Sequence, residues 1–221
     1  MTSRQLPLDL PHTPSFARED FLESPANAEA LRALEAWPNW AGKMLLLTGP
    51  AGSGKSHLGA IWARKSGAQI VEAKGLSDDI AKAPALLIEN ADRVGANEAA
   101  LFHLINTARE AGASLLLTAR AAPDAWGLKT ADLVSRLRLA PIARLNEPDD
   151  DLARAVLFKL FADRQLAVDP NVIAYIALRI ERSLGAARAI VEALDREGLA
   201  RGRAVTRAMA GEVLKGLAGD E

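Results

Sequence analysis

Residues 44–56 read Met-Leu-Leu-Leu-Thr-Gly-Pro-Ala-Gly-Ser-Gly-Lys-Ser. The apolar run 44–48 predicts a buried strand, and a helical pattern begins at Lys55. Between them, residues 49–56 fit the pattern G-x-x-x-x-G-K-[ST] of a phosphate-binding loop. Because this motif requires a strand before it and a helix after it, the sequence predicts a nucleotide-binding α/β domain.

The residue types in this loop are those that phosphate binding requires. Gly49, Gly52 and Gly54 permit positive φ angles and close backbone approach, so that N–H groups and the helix N-terminus can face phosphates. Lys55 supplies a charge for the β- and γ-phosphates, and the Ser56 hydroxyl can bind Mg²⁺. The residues expected to contact the nucleotide are Gly49, Pro50, Ala51, Gly52, Ser53, Gly54, Lys55, Ser56 and His57.

Short apolar runs alternate with helical patterns along the rest of this region. Besides 44–48, we predict strands over 69–72, 85–89, 114–118 and 139–145, and helices over 55–64 and 98–111. Such alternation is typical of a parallel sheet, here of five strands, with helices on both faces.

Polar residues follow two of the predicted strands. Glu89 stands where a Mg²⁺-facing carboxylate is expected, and Asn90 stands where many ATPases place the carboxylate that polarises the attacking water. An amide cannot take a proton, and a general base contributes about 10²–10⁴-fold in rate, so we expect slow intrinsic hydrolysis. Thr118 ends another apolar strand, where it either senses the γ-phosphate or simply closes the strand.

Arg136 lies in Ser135-Arg136-Leu137, just before the last predicted strand. It is either an ordinary surface arginine or an arginine finger, which contributes about 10³–10⁵-fold to turnover when it reaches a neighbouring subunit's nucleotide.

The chain divides into three predicted parts. Residues 1–15 contain three prolines and no helical period, which predicts a flexible N-terminal arm. The α/β domain covers 16–148, and after a Pro- and Asp-rich break only helical periods remain, so 149–221 are predicted to form a small all-α domain.

Composition excludes several classes of protein. The chain has 221 residues, no cysteine, 27 basic and 28 acidic residues, and a formal charge of −1. Because both sides of Pro148 are close to neutral, strong direct DNA binding is not expected. Disulfide scaffolds and thiolate metal sites are excluded. No apolar run approaches the roughly 18 residues that span a membrane, and no signal peptide is visible, so we expect a cytoplasmic protein.

The motifs together resemble those of the AAA+ ATPases, and within them the DnaA-related Hda family. The resemblance rests on Gly-Pro-x-Gly-Ser-Gly-Lys-Ser-His-Leu at 49–58, on Asp-Leu-Val-Ser-Arg-Leu at 132–137, and on Val205-Thr206 with Val-Leu-Lys at 213–215. It implies an AAA+ domain followed by a helical lid, binding of ADP or ATP with Mg²⁺ through Ser56 and Glu89, and no DNA-binding domain after the lid.

The same resemblance implies partners. Arg136 would enter the active site of ATP-bound DnaA and stimulate its hydrolysis, which would prevent over-initiation of replication. The N-terminal peptide at 5–10 is similar to one that binds the DNA polymerase III sliding clamp (beta subunit), and the similarity implies clamp contacts through Gln5, Leu6, Leu8 and Leu10. A homodimer is possible. The alternatives are a helicase-loader-like ATPase acting on single-stranded nucleic acid and a small-molecule kinase.

Two parts of the family pattern leave alternatives open. Phe21 and Leu22 occupy positions where this branch folds its N-terminal segment over the adenine, but they could equally be core residues. Gly185 replaces the arginine expected at the start of a lid helix, so either Arg182 or Arg188 would sense the nucleotide phosphates.

Overall fold

A five-stranded sheet lies at the centre of residues 16–146 in the computed structural model, which describes residues 16–76 and 83–219. The strands are β1 (Met44–Thr48), β2 (Gln69–Glu72), β3 (Ala85–Glu89), β4 (Ser114–Ala119) and β5 (Ile142–Arg144). Their spatial order is β2-β3-β4-β1-β5, and every adjacent pair is parallel. The predicted five-stranded parallel α/β sheet is confirmed.

Helices cover both faces of this sheet, as predicted. They are α1 (Ala28–Glu35), α2 (Lys55–Ser66), α3 (Glu98–Glu110) and α4 (Ala131–Leu137). All five residues of β1 are buried, and their side chains alternate between the faces. Leu46 packs into the cluster under α3 and α4, whereas Leu45 and Leu47 pack into the cluster under α1 and α2. A strand buried on both faces is therefore a continuous apolar run.

The prediction for the last strand is wrong at its start. A strand was expected over 139–145, but β5 contains only Ile142–Arg144. Leu139 and Ala140 instead close the end of α4, because their N–H groups donate to the carbonyl oxygens of Arg136 and Leu137 at 3.1 Å each. Leu139 is 75% exposed. Its apolar character therefore reflects neither a strand nor the core.

Four helices form a second compact unit from Glu147 onward: α5 (Asp150–Asp163), α6 (Pro170–Ala177), α7 (Leu184–Arg201) and α8 (Arg207–Gly219). The division falls at 146/147, two residues before the predicted boundary. Side-chain caps begin three of the helices: Asp149 accepts from Leu152 N at 2.7 Å, Asp169 from Asn171 N at 2.7 Å, and Ser183 from Ala186 N at 3.0 Å.

These helices enclose an apolar core of their own, which includes Leu157, Phe161, Ile176, Ile190 and Leu194. None of the helices within 16–76 and 83–219 has the length and apolar character that crossing a membrane requires. The clamp-binding residues predicted at Gln5, Leu6, Leu8 and Leu10 lie outside the described residues.

Candidate nucleotide-binding site

The predicted phosphate-binding loop joins the carboxyl end of β1 to the first residue of α2. Its glycines are required by space and by backbone conformation. A Cβ atom on Gly49 would lie 2.4 Å from the carbonyl oxygen of Leu145, closer than atoms can approach. Gly52 and Gly54 have φ angles of 70° and 102°, which residues with a side chain rarely adopt. The loop therefore keeps its shape only with glycine at these positions.

One polar group of the loop is left unsatisfied. Ser53 is 3% exposed, and its hydroxyl has no hydrogen-bond partner among the described residues. Buried polar groups are nearly always hydrogen-bonded, so an unpaired one calls for a partner that the protein does not supply. The same loop contains Pro50, Ala51 and Gly52 and leads into the N-terminus of α2. A helix N-terminus favours the binding of an anion. These residues fit a bound phosphate group.

Lys55 folds back onto its own loop. Its Nζ atom donates to the carbonyl oxygens of Gly49 at 2.7 Å and Pro50 at 2.6 Å. Burial lowers the pKa of Lys55, the negative charge of Asp92 raises it, and the positive charge of Arg120 lowers it. No carboxylate lies within ion-pair distance of Lys55 in the part of the chain that the structure describes. Its charge is thus held by carbonyl dipoles, which a phosphate can replace.

The structure brings Asn90 and Thr118 together at the carboxyl ends of β3 and β4. Asn90 adopts a left-handed conformation with φ 53°, and its N–H donates to Thr118 Oγ1 at 3.1 Å. The Asn90 amide is turned to a residue that the sequence analysis missed. Its Nδ2 donates to both carboxylate oxygens of Glu72, at 3.2 and 3.0 Å. Glu72 ends β2 in register with Glu89 of β3, so the sheet places both carboxylates at one edge.

Asp92 and Arg120 are two further charged residues that the sequence analysis missed. Both act electrostatically on Lys55. Asp92 follows β3 in a short 3-10 turn, and its Oδ1 is buried without a hydrogen-bond partner in the described part of the chain. Arg120 follows β4 directly, beside the loop, because Gly49 N donates to the carbonyl oxygen of Ala119 at 3.2 Å. The sequence could have indicated both residues, because each follows a predicted strand and parallel strands point their carboxyl ends to the same edge of the sheet.

Ser56 and Glu89 are the predicted Mg²⁺ ligands. Ser56 is exposed in the first turn of α2, and Glu89 is half-buried at the end of β3. Within 16–76 and 83–219, no group of three or more His, Cys, Asp or Glu side chains is arranged to hold a metal ion. Mg²⁺ commonly takes only one or two ligands from the protein and the others from phosphates and water. The residues present fit that mode of binding.

The N-terminal segment packs onto α2 through aromatic rings. His57 Nε2 lies 3.2 Å from the carbonyl oxygen of Ala17, and the ring of His57 forms T-shaped contacts with Phe16 and Phe21 at centroid distances of 5.4 and 5.3 Å. Phe21 is buried in the core cluster under α1 and α2, and Leu22 is half-buried. The structure therefore gives Phe21 and His57 a packing contact with each other, while their predicted contact with a nucleotide stays a prediction.

The predicted arginine finger lies on α4. The Arg136 side chain is partly exposed, and its Cζ atom lies over the ring of Phe102 in α3, 5.0 Å from the ring centroid. Two other arginines were predicted as alternatives for sensing phosphate, and both belong to the helical unit. Arg182 forms an ion pair with Asp150 at 3.1 Å. Arg188 lies in α7, where burial, and secondarily the charge of Arg164, lower its pKa.

Comparison with known proteins identifies the fold. No protein-family model matches the chain, and no curated protein matches it. Among solved structures, domain III of the replication initiation protein DnaA from Thermotoga maritima superposes with a TM-score of 0.80 at 20% identity, covering 93% of this chain and 98% of that one. AMPPCP-bound DnaA from Aquifex aeolicus gives a TM-score of 0.70 at 18% identity over 85% and 67% of the two chains.

A second branch of similar structures is represented by the RuvB Holliday junction branch migration motor of Thermotoga maritima. Its TM-score is 0.68 at 17% identity, covering 91% of this chain and 72% of that one. All these likenesses are at low identity, so they establish the fold alone. The chain has a DnaA-like AAA+ fold, with the predicted phosphate-binding loop on its central parallel sheet and a helical unit after it in sequence.

Proposed function

We propose that this chain is a regulatory AAA+ protein of the Hda type, which binds adenine nucleotide and stimulates hydrolysis of the ATP held by DnaA. The observation that carries the proposal is the end of β3. There an amide, Asn90, replaces the expected catalytic carboxylate and is hydrogen-bonded to Glu72. The chain thus retains a site for nucleotide without the usual group for its hydrolysis.

Nucleotide binding is supported by the loop itself. The unpaired Ser53 hydroxyl, the glycines and the Lys55 ammonium form a cradle for phosphates. The similar DnaA structure from Aquifex aeolicus holds AMPPCP, an adenine nucleotide analogue. Ser56 and Glu89 would hold Mg²⁺, which when bound neutralises charge on the β- and γ-phosphates. Lys55 would exchange its two loop carbonyls for phosphate oxygens.

Hydrolysis by the chain's own site is expected to be slow. Asn90 Nδ2 donates both to Glu72 Oε1 and to Glu72 Oε2, so the amide nitrogen is already hydrogen-bonded to the last residue of β2. An amide also cannot accept a proton from water at neutral pH. Activity would therefore depend on a partner's catalytic groups rather than on this site.

Arg136 is the residue proposed to act on the partner. Its guanidinium is partly exposed, and among the described residues no carboxylate lies within 4.0 Å of it. When water attacks the γ-phosphate of the partner's ATP and the bond to the β-phosphate breaks, negative charge develops on the phosphate oxygens. A guanidinium presented there offsets this charge and accelerates the step.

The sliding clamp is the proposed second partner. Gln5, Leu6, Leu8 and Leu10 provide one amide and three apolar side chains within six residues. Such a short peptide binds by placing its apolar side chains in surface pockets. Docking on the DNA-loaded clamp in the cytoplasm would hold the chain where Arg136 can reach ATP-bound DnaA.

The proposal is tested by measuring ATP hydrolysis by DnaA in the presence of this chain and DNA-loaded clamp. We expect stimulation by the wild type and its loss in Arg136→Ala, with ADP binding unchanged. Arg138→Ala is the matched control, because Arg138 lies two residues away and is paired with Asp124. Full stimulation by Arg136→Ala would refute the proposal.

A second candidate function is an autonomous ATPase acting on single-stranded nucleic acid. It is favoured by one similar structure, a DnaA bound to AMPPCP and single-stranded DNA, with a TM-score of 0.71. This candidate predicts that single-stranded DNA raises the chain's own ATP turnover in the absence of DnaA. The near-neutral charge of −1 argues against it, because phosphate-backbone binding generally requires a basic surface.

A further inference from the structure

The guanidinium of Arg136 lies against an aromatic ring. Its Cζ atom is 5.0 Å from the centroid of the Phe102 ring, within the roughly 6 Å range of a cation–π interaction. Phe102 is partly buried and packs against the core cluster under α3 and α4. The ring contact crosses from one helix to the other.

Both residues are carried by well-anchored helices. On α4, Leu133 and Leu137 are fully buried on either side of Arg136 in sequence, and on α3 the neighbour of Phe102, Leu101, is also fully buried. All three leucines belong to the same core cluster. The ring and the backbone of Arg136 are therefore held in a fixed relation by packing.

We propose that Phe102 is a positioning residue for Arg136, holding the guanidinium in place for the partner's nucleotide. This inference rests on the proposed function of Arg136. A free arginine side chain loses much rotamer entropy when it is fixed, so a guanidinium that is already held loses less when it contacts the charge that develops in the transition state. The π face also contacts the guanidinium without accepting from its N–H groups. A carboxylate would occupy those donors, whereas the ring leaves them available for phosphate oxygens.

The test compares Phe102→Leu, which removes the ring, with Phe102→Tyr, which keeps it. We expect Phe102→Leu to lower the maximal rate of clamp-dependent DnaA hydrolysis by about two- to fivefold, the rate equivalent of a cation–π contact at a partly exposed site. The concentration of the chain that gives half-maximal stimulation should not change, because docking is unaffected. Phe102→Tyr, which keeps the aromatic ring, should stimulate hydrolysis at the wild-type rate.

Two controls separate positioning from folding. Phe158→Leu makes the same replacement at an exposed phenylalanine on α5 and should stimulate like the wild type. Phe102→Met serves as a second ring-free variant if Phe102→Leu melts early. Stimulation equal to or above wild type in a folded ring-free variant, or failure of Phe102→Tyr to restore the rate, would overturn the inference.

A readout without DnaA separates this inference from the proposed function. A double-mutant cycle of Phe102→Leu and Arg136→Met in chemical unfolding should show a coupling of about two- to fivefold in the unfolding equilibrium constant. Additive effects would show that the ring does not hold the guanidinium. Full stimulation by Arg136→Ala, with the coupling present, would refute the proposed function while leaving the contact established.

Discussion

The hydrogen bonds between Asn90 and Glu72 predict what happens when position 90 receives a carboxylate. In the wild type, Asn90 Nδ2 donates to the two carboxylate oxygens of Glu72 at 3.0 and 3.2 Å. Asn90→Asp keeps the shape of the side chain but replaces this donor with a carboxylate oxygen. Two carboxylates would then face each other. This single substitution is therefore not expected to place a usable catalytic carboxylate at position 90.

The size of the effect follows from the geometry. Two unit charges about 4 Å apart repel by about 1 kcal/mol in bulk water and about 4 kcal/mol at an effective dielectric constant of about 20. Glu72 is exposed, so the lower part of this range applies. Loss of a hydrogen bond to a charged group adds about 1 kcal/mol or more. We expect Asn90→Asp to lower the free energy of unfolding by about 2 kcal/mol.

A compensating substitution sharpens this prediction. Glu72→Gln returns an amide donor to the pair, so the double variant exchanges donor and acceptor and should recover most of the lost stability. Urea unfolding of the wild type, both single variants and the double variant measures the coupling energy, which we expect to be about 2 kcal/mol. At 1 M salt the Asn90→Asp penalty should shrink, because screening acts over about 3 Å.

The double variant also tests the catalytic reasoning. It has a carboxylate at position 90 without repulsion from Glu72, so its intrinsic ATP turnover should exceed that of the wild type, by up to about 10²-fold. Effects on stability that add within about 0.5 kcal/mol would refute the interaction between Asn90 and Glu72. Unchanged turnover in a stable double variant would refute the role given to Asn90.

Three further predictions concern the loop and the N-terminal arm. Lys55→Ala should abolish ADP binding in equilibrium dialysis with little change in melting temperature, because its partners are loop carbonyls; wild-type affinity would contradict this. Gly49→Ala should lower the free energy of unfolding in urea by about 1–3 kcal/mol, because the new Cβ would overlap a carbonyl oxygen. Gly75→Ala is the control and should leave the stability unchanged, since a Cβ there would meet open space. Gln5→Ala with Leu6→Ala should remove clamp binding measured by surface plasmon resonance, and retained affinity would exclude the peptide.

Local patterns in the sequence were sufficient for most of the fold. The apolar runs of β1, β3 and β4 are buried on both faces, which makes them recognisable without knowledge of their neighbours. Asp169 followed by Pro170 predicts the start of α6 because a cap and its helix are adjacent in sequence. The last strand was misjudged because Leu139, although apolar, lies in the turn that closes α4.

The sequence by itself determined the phosphate-binding loop, because its glycines, Lys55 and Ser56 are adjacent and their task is local. Only the tertiary structure decided which side chains contact the proposed functional residues. Glu72 meets Asn90, and Phe102 meets Arg136, through contacts that join residues 18 and 34 positions apart. Register between parallel strands and packing between two helices create these pairs, and neither leaves a pattern in the local sequence. Whether a side chain at this edge is available or already engaged is therefore a property of the assembled sheet.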